Sequence, residues 1–425
     1  MSSSLVSGSG RPPVQEPVRP GTSRSLRRRA ARLGTLLTNG TLLLSGVLTS
    51  VIISRALGPA GRGEYITWQT WVATLGILAL GGLPQALVLD RSTPGRHKLR
   101  QLLTPLAATF AVALVLVAGL AAMWRPPWII VVAAMLIAAA TQLGSIGPSE
   151  AQRMGRMGVE FNLARLAPQV AALLAMAALT LLGTQSTAVW LVSIAGLQTA
   201  AVALWVVTHA ERGRSSTGAS HRRLLGDSLR LAPGGVVTFA QYRLDLLAVT
   251  VLFPHELVAF YAVGIAAQSA VMAAGQSQGM HWFARRGREL TDRHLQLRKE
   301  LRRTSATAAI VAVPLAVSSG LWVSALYGAS FLPSVPVVAA LCFVGILQSL
   351  DYLLVHECLM AGHGVRTSIY RLPSLIAVAA GFGLAHLGDW PIGVVALVPG
   401  VGYLLSSTIF FIAARRNPST TLQSA

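Results

Sequence analysis

Apolar residues run in long blocks along this chain, and polar residues gather in the short breaks between them. The blocks fall near 33–54, 64–89, 100–124, 127–148, 159–183, 187–209, 229–253, 257–283, 304–327, 333–360, 366–388 and 391–414. Each is close to the roughly 20 residues that a helix needs to cross about 30 Å of hydrocarbon. A backbone in lipid must satisfy its own hydrogen bonds, so the blocks predict helices. The expected fold is therefore an all-α polytopic membrane protein of about twelve spans. The blocks at 64–89 and 333–360 are longer than one crossing requires. Gly81-Gly82-Leu83-Pro84 and Pro333 with Pro336 predict a broken end in each.

Composition agrees with this pattern. Of the 425 residues, 53% are hydrophobic and only 12% charged, whereas a soluble protein carries about a quarter charged residues. The net charge of +20 would suit nucleic acid if it were clustered. Instead the basic residues sit in short loops, which is the mark of membrane topology. With the N-terminus inside, the inner segments hold Arg91, Arg96, Lys98 and Arg100, then Arg153 and Arg156, then Arg212, Arg214, Arg222 and Arg223. Eight more lie between Arg285 and Arg303, followed by Arg366, Arg415 and Arg416. The outer loops hold only Arg55, Arg62 and Arg125. Trp124, Trp128, Trp190, Trp322, Tyr327 and Trp390 cluster at the predicted outer ends, as an aromatic belt would. Both termini are expected in the cytoplasm of a cell that places the chain in its inner or plasma membrane.

Residues 1–30 read as a disordered basic tail and 415–425 as a second tail. The apolar run that follows Arg27-Arg28-Arg29 is too long for a cleavable signal and reads as a retained first span. A polar stretch at 215–228 divides a first half, 31–214, from a second, 229–414. The halves resemble each other. Gly155-Arg156 and Arg165-Leu166 align with Gly362-His363 and Arg371-Leu372, and Tyr65 and Tyr261 each open the second span of their half. Six spans per half is an even number, so the two lobes share one orientation, about an axis along the membrane normal.

The run Leu57-Gly58-Pro59, Gly63 and Tyr65 resembles the loop after the first span in bacterial polysaccharide biosynthesis proteins. These are the lipid-linked oligosaccharide flippases of the multidrug/oligosaccharidyl-lipid/polysaccharide exporter superfamily. Gly81 to Leu87 is similar to the Gly-rich end of their second span, and Asp245 stands where they commonly carry an Asp in the seventh. The resemblance implies two six-helix lobes around a central cavity and alternating access. A headgroup would enter from the cytoplasm and leave outside while its polyprenyl tail stays in lipid. It also implies a cationic cavity suited to a diphosphate, with an undecaprenyl-diphosphate-type glycan as cargo and glycosyltransferases or a polymerase as possible partners.

Candidate chemistry is confined to intramembrane polar groups. No catalytic constellation or nucleotide-binding signature appears, and Cys342 and Cys358 lack metal-ligand spacing, so neither an enzyme nor a cofactor is expected. His281, His294, His356 and His363 lie near inner ends without forming a cluster. Arg243 and Asp245 stand about 14 residues into the seventh span, roughly 20 Å from its inner end. Charges at that depth cost several kcal/mol unless paired or wetted. Arg243 suits a phosphate, and Asp245, on a face with Gln241 and Tyr242, suits a coupling ion, a proton or a structural counter-ion. The plainer reading ties both to neighbouring helices.

Arg165 and Arg371 could line an inner vestibule and attract a diphosphate, or merely snorkel to headgroups. Arg55 and Arg62 could receive or release an anionic headgroup; a solvated loop is the plainer reading. Asp351 and Glu357, beside His356, could relay protons or simply be a solvated helix end. Asn39, Gln69, Gln142, Asn162, Gln169, Gln198, Gln268 and Gln276 divide between cavity lining and interhelix contacts. The basic segment 285–303, with Leu290, Leu295, Leu297 and Leu301, reads as a helical extension at anionic headgroups, or as a docking site for a biosynthetic partner. Four functions are weighed: the oligosaccharide flippase, a cation-coupled drug antiporter, a peptidoglycan-precursor flippase, and a non-transporting scaffold for glycan assembly. The first span lacks an acid and the central charges include Arg, which favours an anionic cargo.

Overall fold

The computed structural model describes residues 22–90, 99–154, 159–209, 219–286, 293–360 and 364–416. Among them the chain is helical, with no strand. In order the helices are α1 (Thr22–Leu80), α2 (Leu83–Leu89), α3 (Leu99–Trp124), α4 (Trp128–Arg153), α5 (Val159–Leu181) and α6 (Thr187–His209). There follow α7 (Ala219–Leu252), α8 (His255–Arg286), α9 (Arg293–Val317) and α10 (Ser319–Tyr327). A 3-10 turn (Ala329–Ser334) leads to α11 (Val335–Met360), α12 (Gly364–Leu387), α13 (Ile392–Val395) and α14 (Val398–Arg416). Nine helices among the described residues are long and apolar enough to cross a membrane, or eleven if two sharply bent pairs each count as one span.

Helix α1 holds the first two predicted spans in one element. Gly58, at φ 65° and ψ −176°, breaks it in a conformation that only glycine adopts freely, and Pro59 opens the next limb. The break folds the two limbs against each other. Arg62 reaches the Ser50 hydroxyl at 2.7 Å, although the pair would stand about 18 Å apart along a straight helix. An added Cβ at Gly58 meets no neighbouring atom within 4 Å, so the cost of a side chain there is in the backbone alone. Gly58→Ala is expected to lose about 1–3 kcal/mol, measured by denaturation in detergent micelles.

The broken ends predicted in the two long blocks are present. Leu80 is followed by Gly81 at φ 55° and then α2, and the 3-10 turn containing Pro333 precedes α11. A further bend, of 67°, separates α9 from α10. Two sequence boundaries need correction. The expected disordered tail ends earlier than residue 30, because α1 begins at Thr22; Arg, Leu and Ala there are strong helix formers. The stretch expected as a linker is helical from Ala219 onward. Leu224 is buried, and Arg223 pairs with Asp227 one turn on at 3.8 Å. Residues 1–21, 215–218 and 417–425 lie outside the described residues.

The helices sort by their contacts. Helices α4, α5 and α6 pack on one another, and α1 lies across α3, α4 and α5. In the other group α8 packs on α9 and α11, α11 on α14, and α12 on α7 and α14. The groups meet through α1 against α8 and α2 against α7. Each has its own core: Ile53, Tyr65, Met176, Trp190 and Leu191 in the first, and Val249, Tyr261, Leu341 and Phe382 in the second. Outward-facing Leu181, Val317, Leu321 and Leu387 are all more than three-quarters exposed. A soluble protein rarely presents so much apolar surface; around a multi-pass membrane protein it faces lipid.

Candidate functional site

Two cavities lie between the helix groups. The smaller, of about 320 Å³, is walled by Gly46, Thr49, Ser50, Ile53 and Arg62 to Ile77 of α1, and by Phe239, Arg243 and Leu246 of α7. The larger, of about 990 Å³, is walled by the end of α1, Pro84 and Gln85 of α2, Gln169, Gln198, Gln276, and Tyr352, His356, Thr367 and Arg371. Neither wall contains an Asp or Glu among the described residues.

Arg62 was the least expected member. The plainer sequence reading of Arg62 was a solvated loop and the other a headgroup contact, but its side chain is 2% exposed. The hairpin at Gly58 carries it inward, where its guanidinium stacks over Tyr327 at 5.0 Å and Phe331 at 5.4 Å. Nη2 donates to Ser50, while Nη1 is buried without a hydrogen-bond partner. No carboxylate pairs with it among the described residues. The signal lay in position: Arg62 sits inside the glycine-proline motif, four residues after Gly58, too close to a tight turn to be a free loop residue. Arg243 lines the same cavity from α7 and makes no ion pair among the described residues.

Asp245 turns the other way. Its carboxylate accepts from the Leu246 amide at 2.7 Å and the Tyr261 hydroxyl at 3.2 Å, and it lines neither cavity. Gln241 and Gln268 also line neither. They belong to a buried lattice in the second helix group. Gln268 donates to Gln348, Gln348 to the Tyr403 hydroxyl, Tyr403 to the Gln241 carbonyl, and Ser374 to the Gln241 side chain. One layer away, Arg371 pairs with Asp351 at 3.5 Å and stacks on Tyr242 at 5.4 Å. Ser406 donates to the other Asp351 oxygen. Asp351 and Glu357 are both 0% exposed, which corrects the reading of a solvated helix end: α8, α9, α12 and α14 all pack on α11.

Arg371 lines the larger cavity, and it is buried and paired with Asp351. Its counterpart Arg165 is half-buried over Phe161 at 5.2 Å and lines neither cavity. Arg55 is exposed and donates to the Ala325 and Leu326 carbonyls, so it ties α1 to α10 instead of lining a cavity. The Asn39, His281 and His294 side chains and His363 lie outside the described residues. So does the middle of the basic segment, although Leu297 at the start of α9 is buried with Leu353, Leu354 and Phe410. That end of α9 is seated on the protein.

At the Gly58 end the two groups are closed on each other. Thr67 meets His255 at 3.3 Å, Trp71 donates to Thr250 at 3.1 Å, and Ser50 contacts the Tyr327 hydroxyl at 3.2 Å. Gly63 lies so near the His255 carbonyl that an added Cβ would stand 1.7 Å from its oxygen.

No protein-family model and no curated protein matches the sequence itself. Solved structures do match. Over 91% of this chain and 87% of the other, the structure superposes on the lipid II flippase MurJ in an inward closed conformation, with TM-score 0.65 and 12% identity. Over 88% of this chain and 93% of the other it matches an inward-facing multidrug-resistance MATE-family transporter of the MOP superfamily, with TM-score 0.57 and 12% identity. The chain carries the fold these two transporters share. The likeness spans both helix groups, and at the level of fold it agrees with the resemblance seen in the glycine-proline motif.

Proposed function

We propose that this protein is a membrane transporter that moves a lipid-linked anionic headgroup, a polyprenyl-diphosphate-linked oligosaccharide, from the cytoplasmic to the outer leaflet by alternating access. One observation carries the reading. The buried Arg62, which no carboxylate pairs among the described residues, lines a cavity that also holds Arg243 and, among those residues, no acid. A buried cation without a counter-charge is costly; a phosphate would supply that charge to Arg62 and further acceptors to Arg243. The larger cavity, rich in side-chain amides and hydroxyls, suits the uncharged saccharide. In this reading the helix groups are the two lobes, 31–214 and 229–414, the termini face the cytoplasm, and the tail stays in lipid beside the cleft.

The MATE-like fold supports a second reading, a drug antiporter. The cavity wall opposes it, since among the described residues a cationic drug would meet two arginines and no carboxylate.

Proteoliposomes holding a short polyprenyl-diphosphate-linked saccharide test both. Charge-assisted hydrogen bonds contribute about 1.5–3 kcal/mol each, so Arg62→Ala or Arg243→Ala should slow flipping roughly 10- to 100-fold, with Lys restoring part of the loss. Normal flipping by both Ala variants at wild-type reconstitution would remove the phosphate role.

A further inference from the structure

The two cavities are neighbours along the same pair of helices, and their walls are ordered. On α1 the smaller cavity takes residues from Gly46 to Ile77, and the larger runs from Ile77 to Gly81 and on into α2. On α7 the larger cavity takes residues from Leu231 to Val236 and then Tyr242, whereas Arg243 and Leu246, on another face, line the smaller, and Phe239 lines both. Ile77 and Phe239 are the two residues that line both. They are apolar and half-buried, whereas Thr70 and Thr74 stand on one side of them and Gln85 and Tyr242 on the other.

We propose that Ile77 and Phe239 form an apolar gate that divides the transport path into two compartments, an arginine compartment and a wide amide-lined one. The proposal rests on the transporter reading but not on the identity of the cargo. A narrow apolar constriction excludes water, and with it any ion that would have to shed its hydration shell. Closed, the gate keeps water and small anions from running between the compartments; a large headgroup passes only when the gate parts.

The helices supply the means of parting. Helix α7 bends by 53° between Val237 and Phe239, just after Pro233, which interrupts the helical hydrogen-bond ladder. Ile77 stands four residues before Gly81, whose φ of 55° ends α1. Each gate side chain therefore sits at a break, where a small change in backbone angles moves it without repacking a whole helix.

Thiol labelling tests the division. In a background carrying Cys342→Ala and Cys358→Ala, Ala73→Cys reports on the arginine compartment and Thr141→Cys on the wide one. Both are treated, from each face of sealed proteoliposomes, with an anionic, membrane-impermeant methanethiosulfonate. Thr141→Cys should label quickly from one face, and Ala73→Cys at least about tenfold more slowly from that face. Phe239→Ala, or Ile77→Ala if the first variant misfolds, should bring Ala73→Cys to within a few-fold of Thr141→Cys and leave the latter rate unchanged.

The gate is overturned if Ala73→Cys labels as fast as Thr141→Cys with both gate residues in place. It is also overturned if both truncations leave the difference intact, or if Thr141→Cys is unreactive from either face. Failure of the saccharide to flip in the transport assay, with the labelling difference present, would instead remove the cargo and keep the gate.

Discussion

Arg371→Ala is expected to destabilise the folded protein by about 3–5 kcal/mol, the largest loss anticipated for a single side chain. Arg371 is 2% and Asp351 0% exposed. With the guanidinium gone, Asp351 would keep only the Ser406 hydroxyl and stand as an uncompensated charge among α7, α11, α12 and α14. Thermal unfolding in detergent would show the loss. The double variant Arg371→Met with Asp351→Leu removes both charges and should recover most of it, because a buried pair replaced by apolar residues of similar size is often neutral. If Arg371→Ala unfolds with the wild type, the pair is not the counter-charge described. Arg371 also borders the larger cavity, so a stable double variant with impaired flipping would isolate a contribution to the path itself.

Gly63→Ala should be nearly as severe, by a different cause. The new Cβ would overlap the His255 carbonyl oxygen at 1.7 Å and its carbon at 2.3 Å. Backbone cannot swing aside as a side chain does, so α1 and α8 must separate. The Thr67–His255 and Trp71–Thr250 contacts would go with the closure of that end. Overpacking typically costs 1–3 kcal/mol and more where backbone is displaced, and a loss of about 3 kcal/mol is expected. Gly119→Ala is the control, since nothing lies within 4 Å of its added Cβ; it should change stability by less than about 0.5 kcal/mol. Equal stability of the two variants would mean that the close approach of α1 to α8 does not hold the folded state together.

The apolar blocks predicted most helices, because length and hydropathy alone decide whether a helix suits a bilayer. The Gly81-Gly82 and Pro333 breaks were legible for a similar reason: glycine and proline act locally. The bend at Ser318 went unpredicted, although Pro314 stands four residues before it and Gly320 two after. The burial of Arg62 depends on Tyr327 and Phe331, more than 260 positions away in sequence. That of Asp351 depends on Arg371 and Ser406. Such partners are set by packing, not by local pattern. The glutamines show the same limit. Their presence in spans predicted polar interiors, yet only assembly separates Gln69, Gln169, Gln198 and Gln276, which line cavities, from Gln142 and Gln268, which bond to neighbouring helices. The repeat aligned Tyr65 with Tyr261, which are both buried, and Arg165 with Arg371, whose surroundings differ.

The lattice of Gln241, Gln268, Gln348, Ser374 and Tyr403 joins α7, α8, α11, α12 and α14. Hydrogen bonds fix both distance and angle, so none of these helices can rotate or slide alone without breaking a link in a medium that offers no replacement. Among the described residues the other group is linked by Thr109 to Gln142 and by Thr199 to the Leu136 carbonyl. Elsewhere its core is alanine-rich, with Ala133, Ala172 and Ala175 buried, and small side chains in contact carry no directional preference. The expected mechanical consequence is a lopsided molecule, in which the bonded lattice is the stiffer block. A load applied at the cleft would then strain the other block first, so labels that report local bending belong on α4, α5 and α6, and a rigid reference frame belongs on α11 and α14.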